Sequence, residues 1–127
     1  MKTKLTFFIL SFFISGNLLA QIVDLTADGD KVPMAGKTLT VAEVLQNKKI
    51  VTNNPEYKIA TFSIAVNKDG YEYEEKSSSE NITDGMRKLI EKLSPGAKFY
   101  CEKIQYVKYV RSDTVYLDVP PFVTTIK

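Results

Sequence analysis

Apolar residues between positions 82 and 93 recur at the spacing of a helix. They fall at i, i+4, i+7, i+8 and i+11, on one stripe of a helical surface: Ile82, Met86, Leu89, Ile90 and Leu93. Asn81 or Thr83 can cap this helix, since either side chain accepts a hydrogen bond from a free backbone N–H. Ser94-Pro95-Gly96 ends it, because proline disfavours helical geometry before it and glycine allows a turn at positive φ.

Alternating apolar and polar positions predict strands on both sides of this helix. The clearest strand runs from Tyr57 to Val66, and Asn67-Lys68-Asp69-Gly70 predicts a hairpin turn after it. In the returning strand, Tyr71 and Tyr73 alternate with glutamates, so we expect one half-buried face and one wet face. Further strands are predicted over residues 22–25, 99–110, 114–119 and 122–126. Imperfect alternation in the 99–110 strand indicates a bulge or a change of register.

A second, shorter helix is predicted where Thr40-Val41-Ala42-Glu43 fits a capping box and continues to Leu45. With about six strands and two helices, the fold class is α+β with a mostly antiparallel sheet. We expect a sandwich-like sheet with one or two short helices packed on it.

The first twenty residues have the pattern of a secretory signal peptide. Lys2 and Lys4 precede an almost wholly apolar run from Leu5 to Ile14, and Ala20 is a small residue at the expected cleavage position. We therefore predict a signal peptide over residues 1–20 and a single domain over residues 21–127, located in the periplasm or secreted. The apolar run is too short for a comfortable membrane span, so none is expected after signal removal.

Charge and cysteine content narrow the classes of partner. The chain has 17 basic and 15 acidic residues, so the domain without Lys2 and Lys4 is formally neutral at pH 7. Such a domain lacks the basic stripe that binds nucleic acid or an anionic membrane. Cys101 stands alone and cannot form an internal disulfide. Its predicted role is that of a small buried apolar residue, and pairing with another chain is the alternative.

The sequence has few residues in patterns that are typical of a catalytic site. The chain has no histidine, which removes the usual general base and metal ligand. Glu72 and Glu74, about 7 Å apart along a strand, could form a glycosidase pair, but the pattern favours two wet residues on an exposed sheet. Asp24, Asp28 and Asp30 lack the full ligand ladder of a calcium loop and favour a solvated linker. We predict no catalytic residue, no cofactor and no metal site.

Tyrosine is the residue type most suggestive of binding. The chain has seven tyrosines, mostly on predicted strands. Tyrosine is enriched at interfaces, and on strands it can form a protein-binding or carbohydrate-binding surface or an ordinary half-buried sheet. The candidate interaction surface combines tyrosines with nearby cations: Tyr71, Tyr73, Lys108, Tyr109 and Arg111.

Three segments stand in the order and spacing of a known family. They are a glycine-led short helix at Gly36–Leu45, a central strand at Tyr57–Ile64, and a helix, Pro-Gly turn and strand at Leu89–Tyr100. Together they resemble the C-terminal domain of GldM, a gliding-motility and type IX secretion protein, over roughly residues 32–127. The resemblance implies a periplasmic, non-enzymatic β-rich domain that contacts other envelope proteins.

Two features depart from that family. GldM has an N-terminal membrane helix and several periplasmic domains, whereas we expect a signal peptide and one domain here. The family's Asp-Gly turn before the last strands is replaced by residues 108–113. The family offers no catalytic residues to transfer to this chain.

The sequence therefore predicts an exported, non-enzymatic protein-interaction module of the bacterial envelope, linked to type IX secretion or gliding motility. Its expected partners are envelope proteins, including secretion or motility components. The alternatives are a small secreted carboxylate-based glycosidase and a carbohydrate-binding or inhibitor module.

Overall fold

The computed structural model describes residues 24–111 and 113–127, and the predicted signal peptide lies outside them. Within these residues the chain forms two helices and eight strands. In chain order they are β1 (Ala27–Gly29), β2 (Thr38–Leu39), α1 (Val41–Val44), β3 (Ile50–Thr52), β4 (Ile59–Lys68), β5 (Tyr71–Ser77), α2 (Asp84–Glu91), β6 (Lys98–Val110), β7 (Asp113–Val119) and β8 (Phe122–Ile126). Neither described helix is long and apolar enough to cross a membrane.

Six strands form the main sheet in the order β2-β8-β6-β4-β5, and β7 pairs with β6 beyond the end of β8. Every pair in this sheet is antiparallel except β2 with β8, which is parallel. Strands β1 and β3 form a separate antiparallel pair. The predicted α+β class with a mostly antiparallel sheet and two short helices is confirmed.

One face of the main sheet carries the core. Phe62, Ile64 and Phe99 on this face form one buried cluster with Val44 of α1 and Ile90 of α2. The two helices and the β1–β3 pair therefore supply the second layer. The opposite face, here called the open face, is largely polar: Glu72 and Glu74 of β5 and Glu102 of β6 lie on it.

The structure contains the helix caps and the hairpin turn that short sequence patterns predict. Thr83, rather than Asn81, caps α2 by accepting a hydrogen bond from the Met86 N–H at 3.2 Å. The Thr40 capping box is complete at the start of α1. Asp69 and Gly70 both have positive φ at the turn between β4 and β5, and Gly96 has positive φ where the chain leaves α2. These contacts form between near neighbours in the chain, so short patterns predict them.

Strand β6 contains the predicted irregularity. Its pairing with β4 shifts register between Thr61 and Ser63, and Lys103 adopts a left-handed φ of 54°. Cys101 faces the core before this bulge, and Ile104 faces it afterwards. The extra residue therefore changes which positions point inward, as expected for a β-bulge.

The N-terminal part of the domain corrects the sequence interpretation. The strand predicted over residues 22–25 is not found at its described positions, and the strands β1, β2 and β3 were not predicted. The segment around Asp28 is not a solvated linker, because Leu25, Ala27 and Met34 are buried in the core. The Asp28 carboxylate accepts hydrogen bonds from the backbone N–H groups of Gly29, Met34 and Ala35. The Asp28 carboxylate thus organises a loop.

Asn47 joins this loop to α1. Its side chain is fully buried, and its Oδ1 accepts from the Lys31 and Val32 N–H groups at 2.8 Å each. Its Nδ2 donates to the carbonyls of Val32 and Val44 at 3.0 and 3.2 Å. A buried amide with all its bonds made is stabilising, whereas its loss leaves the partner groups desolvated and unpaired.

We predict that Asn47→Ala lowers the free energy of unfolding by about 3 kcal/mol, because two part-buried N–H groups and two carbonyls lose their partner. The neighbouring exposed Gln46 supplies the control, since Gln46→Ala should change that free energy by no more than about 0.5 kcal/mol. Urea unfolding of the two variants measures both values. Equal free energies of unfolding for the two variants would show that the hydrogen bonds of Asn47 do not stabilise the fold more than hydrogen bonds to water would.

Candidate functional site

The hairpin of β6 and β7 extends beyond the rest of the sheet. Strand β4 pairs with β6 no further than Tyr106, and β8 pairs with β6 only at residues 98–101 of β6. Residues 107–110 and 113–116, here called the arm, have only each other as strand partners among the described residues. The arm is therefore a two-stranded projection that stands away from the core cluster.

The arm presents aromatic side chains to solvent. Tyr109 is 75% exposed and Tyr116 is 56% exposed. Tyr116 lies directly opposite Val107, and Thr114 lies opposite Tyr109, so the four residues share the open face of the hairpin. Val115, 37% exposed, points to the other face. An exposed cluster of this kind is typical of an interaction surface rather than of a folding requirement.

The structure divides the predicted interaction surface into two places. Lys108, Tyr109 and Arg111 lie on or at the tip of the arm. Tyr71 and Tyr73 lie on β5, at the opposite edge of the sheet.

The two groups are also far apart along the strands. Val66 is opposite both Tyr73 and Phe99, whereas Tyr109 is ten residues further along β6, or about 33 Å at the strand rise. The five residues therefore do not form one surface.

Tyr71 and Tyr73 are more exposed than the alternation predicted. They are 68% and 45% exposed, so the expectation of a half-buried tyrosine face on β5 is wrong. Their positions share the core side of the sheet with Val66, but β5 lies at its edge and the core does not extend that far. Tyr73 instead borders a groove of about 280 Å³ beside α2, whose floor includes Leu89 and Leu93.

A polar cleft of about 720 Å³ lies on the open face above the bulge. It crosses four strands, and its lining residues come from β4, β5, β6, β7 and the Pro-Pro segment: Thr61, Ser63, Glu74, Lys76, Lys103, Ile104, Gln105, Asp118, Val119 and Pro121. The left-handed residue Lys103 extends its side chain across β4 to Glu74 of β5. The bulge therefore shapes both the core side and the open side of the sheet.

The charges in this cleft balance. Lys103 Nζ donates to Glu74 Oε2 at 2.9 Å, and Gln105 Nε2 donates to Asp118 Oδ1 at 3.1 Å. The hydrogen bond from Lys103 lowers the pKa of Glu74, with a smaller effect from Ser63, and the same bond raises the pKa of Lys103. With Lys76 as the second cation, the cleft favours neither an anion nor a cation and suits a neutral hydrogen-bonding molecule.

The carboxylates of the cleft do not have the spacing of a glycosidase. Glu74 on β5 and Asp118 on β7 are separated by three inter-strand distances, about 14 Å. Glycosidase pairs lie about 5–10 Å apart. Glu72, the other member of the pair weighed from sequence, does not line the cleft. The lowered pKa of Glu74 is also opposite to the shift that a general acid requires.

Other chemistry-bearing residues have structural surroundings. Cys101 is buried, and burial raises the pKa of its thiol, so it is not an activated thiolate. The carboxylates of Asp28 and Asp30 each accept hydrogen bonds from backbone N–H groups of nearby loops. Among the described residues, no group of three His, Cys, Asp or Glu side chains is arranged to hold a metal ion.

Comparison with protein-family models finds none that matches this chain, and comparison with curated proteins finds no significant match. The function must therefore be argued from the arm and the cleft. Tyr116 and Lys103 belong to these features and were not singled out from sequence. The strands predicted over residues 99–110 and 114–119, paired as a hairpin, could have placed Tyr116 opposite Val107, whereas no sequence signal indicated the cleft.

Substitutions of Lys103 test whether the backbone at the bulge, which shapes the cleft, is conformationally restricted. We predict that Lys103→Val lowers the free energy of unfolding by about 1–2 kcal/mol, because a β-branched residue is strongly disfavoured at left-handed φ. Lys103→Gly should stay within about 1 kcal/mol of the parent, since glycine accepts this φ and an exposed ion pair contributes little.

Gln105→Val is the matched control, two residues along β6 without positive φ, and should be nearly neutral. Chemical denaturation measures all three variants. If Lys103→Val were as stable as Lys103→Gly, position 103 would not be conformationally restricted in solution.

Proposed function

We propose that the protein is an exported, non-enzymatic protein-interaction module of the bacterial envelope that serves type IX secretion or gliding motility. We further propose that the arm is its binding surface. The observation that carries the proposal is the projection of β6 and β7 beyond the core with Tyr109 and Tyr116 exposed on one face.

The energetics of the arm support a binding role. A tyrosine side chain buries about 150–250 Å² when it is covered, and its hydroxyl group still finds a hydrogen-bond partner at a wet interface. Tyr109 and Tyr116 contribute little of this burial in the isolated domain, because they are mostly exposed. An isolated two-stranded hairpin is marginally stable, so cover from a partner would stabilise the arm as well as the complex.

The cleft chemistry supports a non-enzymatic role. Glu74 is held ionised by Lys103, and the second carboxylate, Asp118, is three strands away. Cys101 is buried and protonated. None of these groups is arranged as a nucleophile with an adjacent base.

The envelope setting is supported by the signal-peptide pattern of residues 1–20 and by the resemblance to the C-terminal domain of GldM. Both lead to a domain that acts outside the cytoplasm on other proteins. The arm then provides the contact surface, in the part of the chain where this sequence departs from the family.

Partner capture from the native cell envelope tests the proposal. The tagged protein is cross-linked in cells and recovered partners are quantified by mass spectrometry. We predict that Tyr109→Ala with Tyr116→Ala reduces recovery of the principal partner at least tenfold, because the loss removes two large contact side chains.

The matched control is Tyr71→Ala with Tyr73→Ala, which removes two exposed tyrosines from the other edge of the sheet and should leave recovery unchanged. Thermal unfolding of both variants checks that the fold is intact. Unchanged recovery with the arm variant would refute the arm as the binding surface, and recovery of no secretion or motility component would refute the setting.

The polar cleft favours a second candidate function, a carbohydrate-binding module. Its balanced carboxylates, cations, amide and hydroxyl groups match hydroxyl groups that both donate and accept hydrogen bonds. Tyr116 lies two residues from the cleft residue Asp118, on the same strand and the same face of the sheet. We rank this function second because no aromatic side chain lines the cleft within the described part of the chain.

Titration with neutral oligosaccharides of cellulose, xylan, mannan and laminarin type tests this candidate. NMR spectra of the labelled protein should show shifts at Ser63 and Gln105 for one of the sugars, and Glu74→Gln should weaken that binding about tenfold by removing a charged hydrogen-bond acceptor. Glu72→Gln is the control on the same strand but outside the cleft. Absence of shifts with every sugar removes the carbohydrate-binding candidate.

A further inference from the structure

The two long edges of the main sheet differ in how they are protected. An exposed edge strand presents free N–H and C=O groups that can pair with another chain, and charged residues are a common protection. Strand β5 has four charged residues among its seven positions: Glu72, Glu74, Glu75 and Lys76. Strand β7 is equally long but has only Asp113 and Asp118. The β7 edge is therefore the less protected one.

The outer edge of β7 also has no strand partner among the described residues. Its strand pairing is with β6 alone, and residues 113–116 are all exposed. Strand β8 lies on the same side of β6 but pairs with it at residues 98–101, well before β7 begins to pair at Ile104. The outer edge of β7 is therefore open to a further strand along its exposed residues.

We propose that β7 pairs antiparallel with β7 of a second copy of this chain, about a two-fold axis at Tyr116. Tyr116 is the midpoint of residues 113–119, so this register is the one that pairs all seven residues. Pro120 follows directly and lacks an N–H group, which ends the ladder at that side. A two-fold contact uses the same strand on both copies, as is usual for small homodimers.

The side chains fit this register. Val115 of each copy lies opposite Leu117 of the other, so apolar residues face apolar residues on one side of the joined sheet. Thr114 lies opposite Asp118, and Asp113 lies opposite Val119, so no like charges face each other. A shift by one residue would place apolar positions opposite polar ones on the wrong face.

The same construction fails at β5. The midpoint of that strand is Glu74, which would face Glu74 of the other copy, and like charges directly opposite are destabilising. The Glu74 carboxylate is also held by Lys103 of its own chain. This contrast is what assigns self-association to β7 rather than to sheet edges in general.

The dimer goes beyond the proposed function, since it uses the edge of the arm and leaves its open face free. In the joined sheet, the two Tyr116 side chains lie opposite each other on the open face, and Tyr109 of each copy lies on the same face one strand further out. A partner would then meet four tyrosines on one continuous surface. If partner capture failed, the dimer proposal would be unaffected. If the protein were monomeric, the proposed contact between the arm and a partner would be unaffected.

Charge substitutions at Thr114 test the register. Thr114→Asp places a carboxylate opposite Asp118 twice in the dimer and should raise the dimer dissociation constant about tenfold. Thr114→Lys places an ammonium group at the same two positions and should lower that constant. Thr114 is exposed, so neither change disturbs the core. Sedimentation velocity of the purified protein over a range of concentrations measures the dissociation constants.

Cysteine cross-linking tests the position of the axis. Tyr116→Cys should give a covalent dimer with a short thiol cross-linker, because the two new thiols face each other. Glu74→Cys, at the midpoint of the other edge, should give none, and the native Cys101 is buried and does not react. A protein that stays monomeric at millimolar concentration, Thr114 variants that shift in the same direction, or equal cross-linking of the two cysteine variants would each overturn the proposal.

Discussion

The bulge at Lys103 is the constraint on which the rest of this structure depends. Strand β6 pairs with β4, β7 and β8, and it is the longest strand of the sheet. A regular strand would place either Cys101 or Ile104 outside the core, because odd and even positions point to opposite faces. One left-handed residue lets both sit in the core. The cost of that backbone conformation, about 1–2 kcal/mol, is offset by the burial of apolar side chains on both sides of it.

The same constraint links the core to the candidate binding surfaces. After the bulge, Tyr106 is the last of the described β6 side chains in the core, where its ring meets that of Tyr57 edge-on with 5.2 Å between the ring centroids. Beyond this contact β4 no longer pairs with β6, and β6 continues into the arm with β7 as its only strand partner among the described residues. On the open face, the displaced Lys103 reaches Glu74 and forms one wall of the cleft. The arm thus begins where the core ends, and the cleft lies at the bulge on the opposite face of the sheet.

Features that depend on near neighbours in the chain were predictable, and features that depend on distant ones were not. The Thr83 cap, the Asp69-Gly70 turn and the irregularity of β6 follow from short patterns. The role of Asn47 depends on a loop fifteen residues earlier in the chain, so no local pattern reveals it. The exposure of Tyr73 depends on where the core stops beneath β5, and the cleft requires four strands to meet. The exposure of Tyr73 and the cleft both depend on the order of strands in the sheet, and the alternation of apolar and polar residues does not specify that order.

The segments on which the resemblance to GldM is proposed are those that build the scaffold. In the segment from Leu89 to Tyr100, Ile90 and Phe99 are fully buried and Gly96 turns the chain, so their residue types are required by packing and backbone geometry. A likeness confined to such segments would concern the fold more than the partner. The proposed departure falls at residues 108–113, at the tip of the arm, where Tyr109, Arg111 and Asp113 are exposed and not held by the core. A domain of this fold that meets a different protein would be expected to differ at that position.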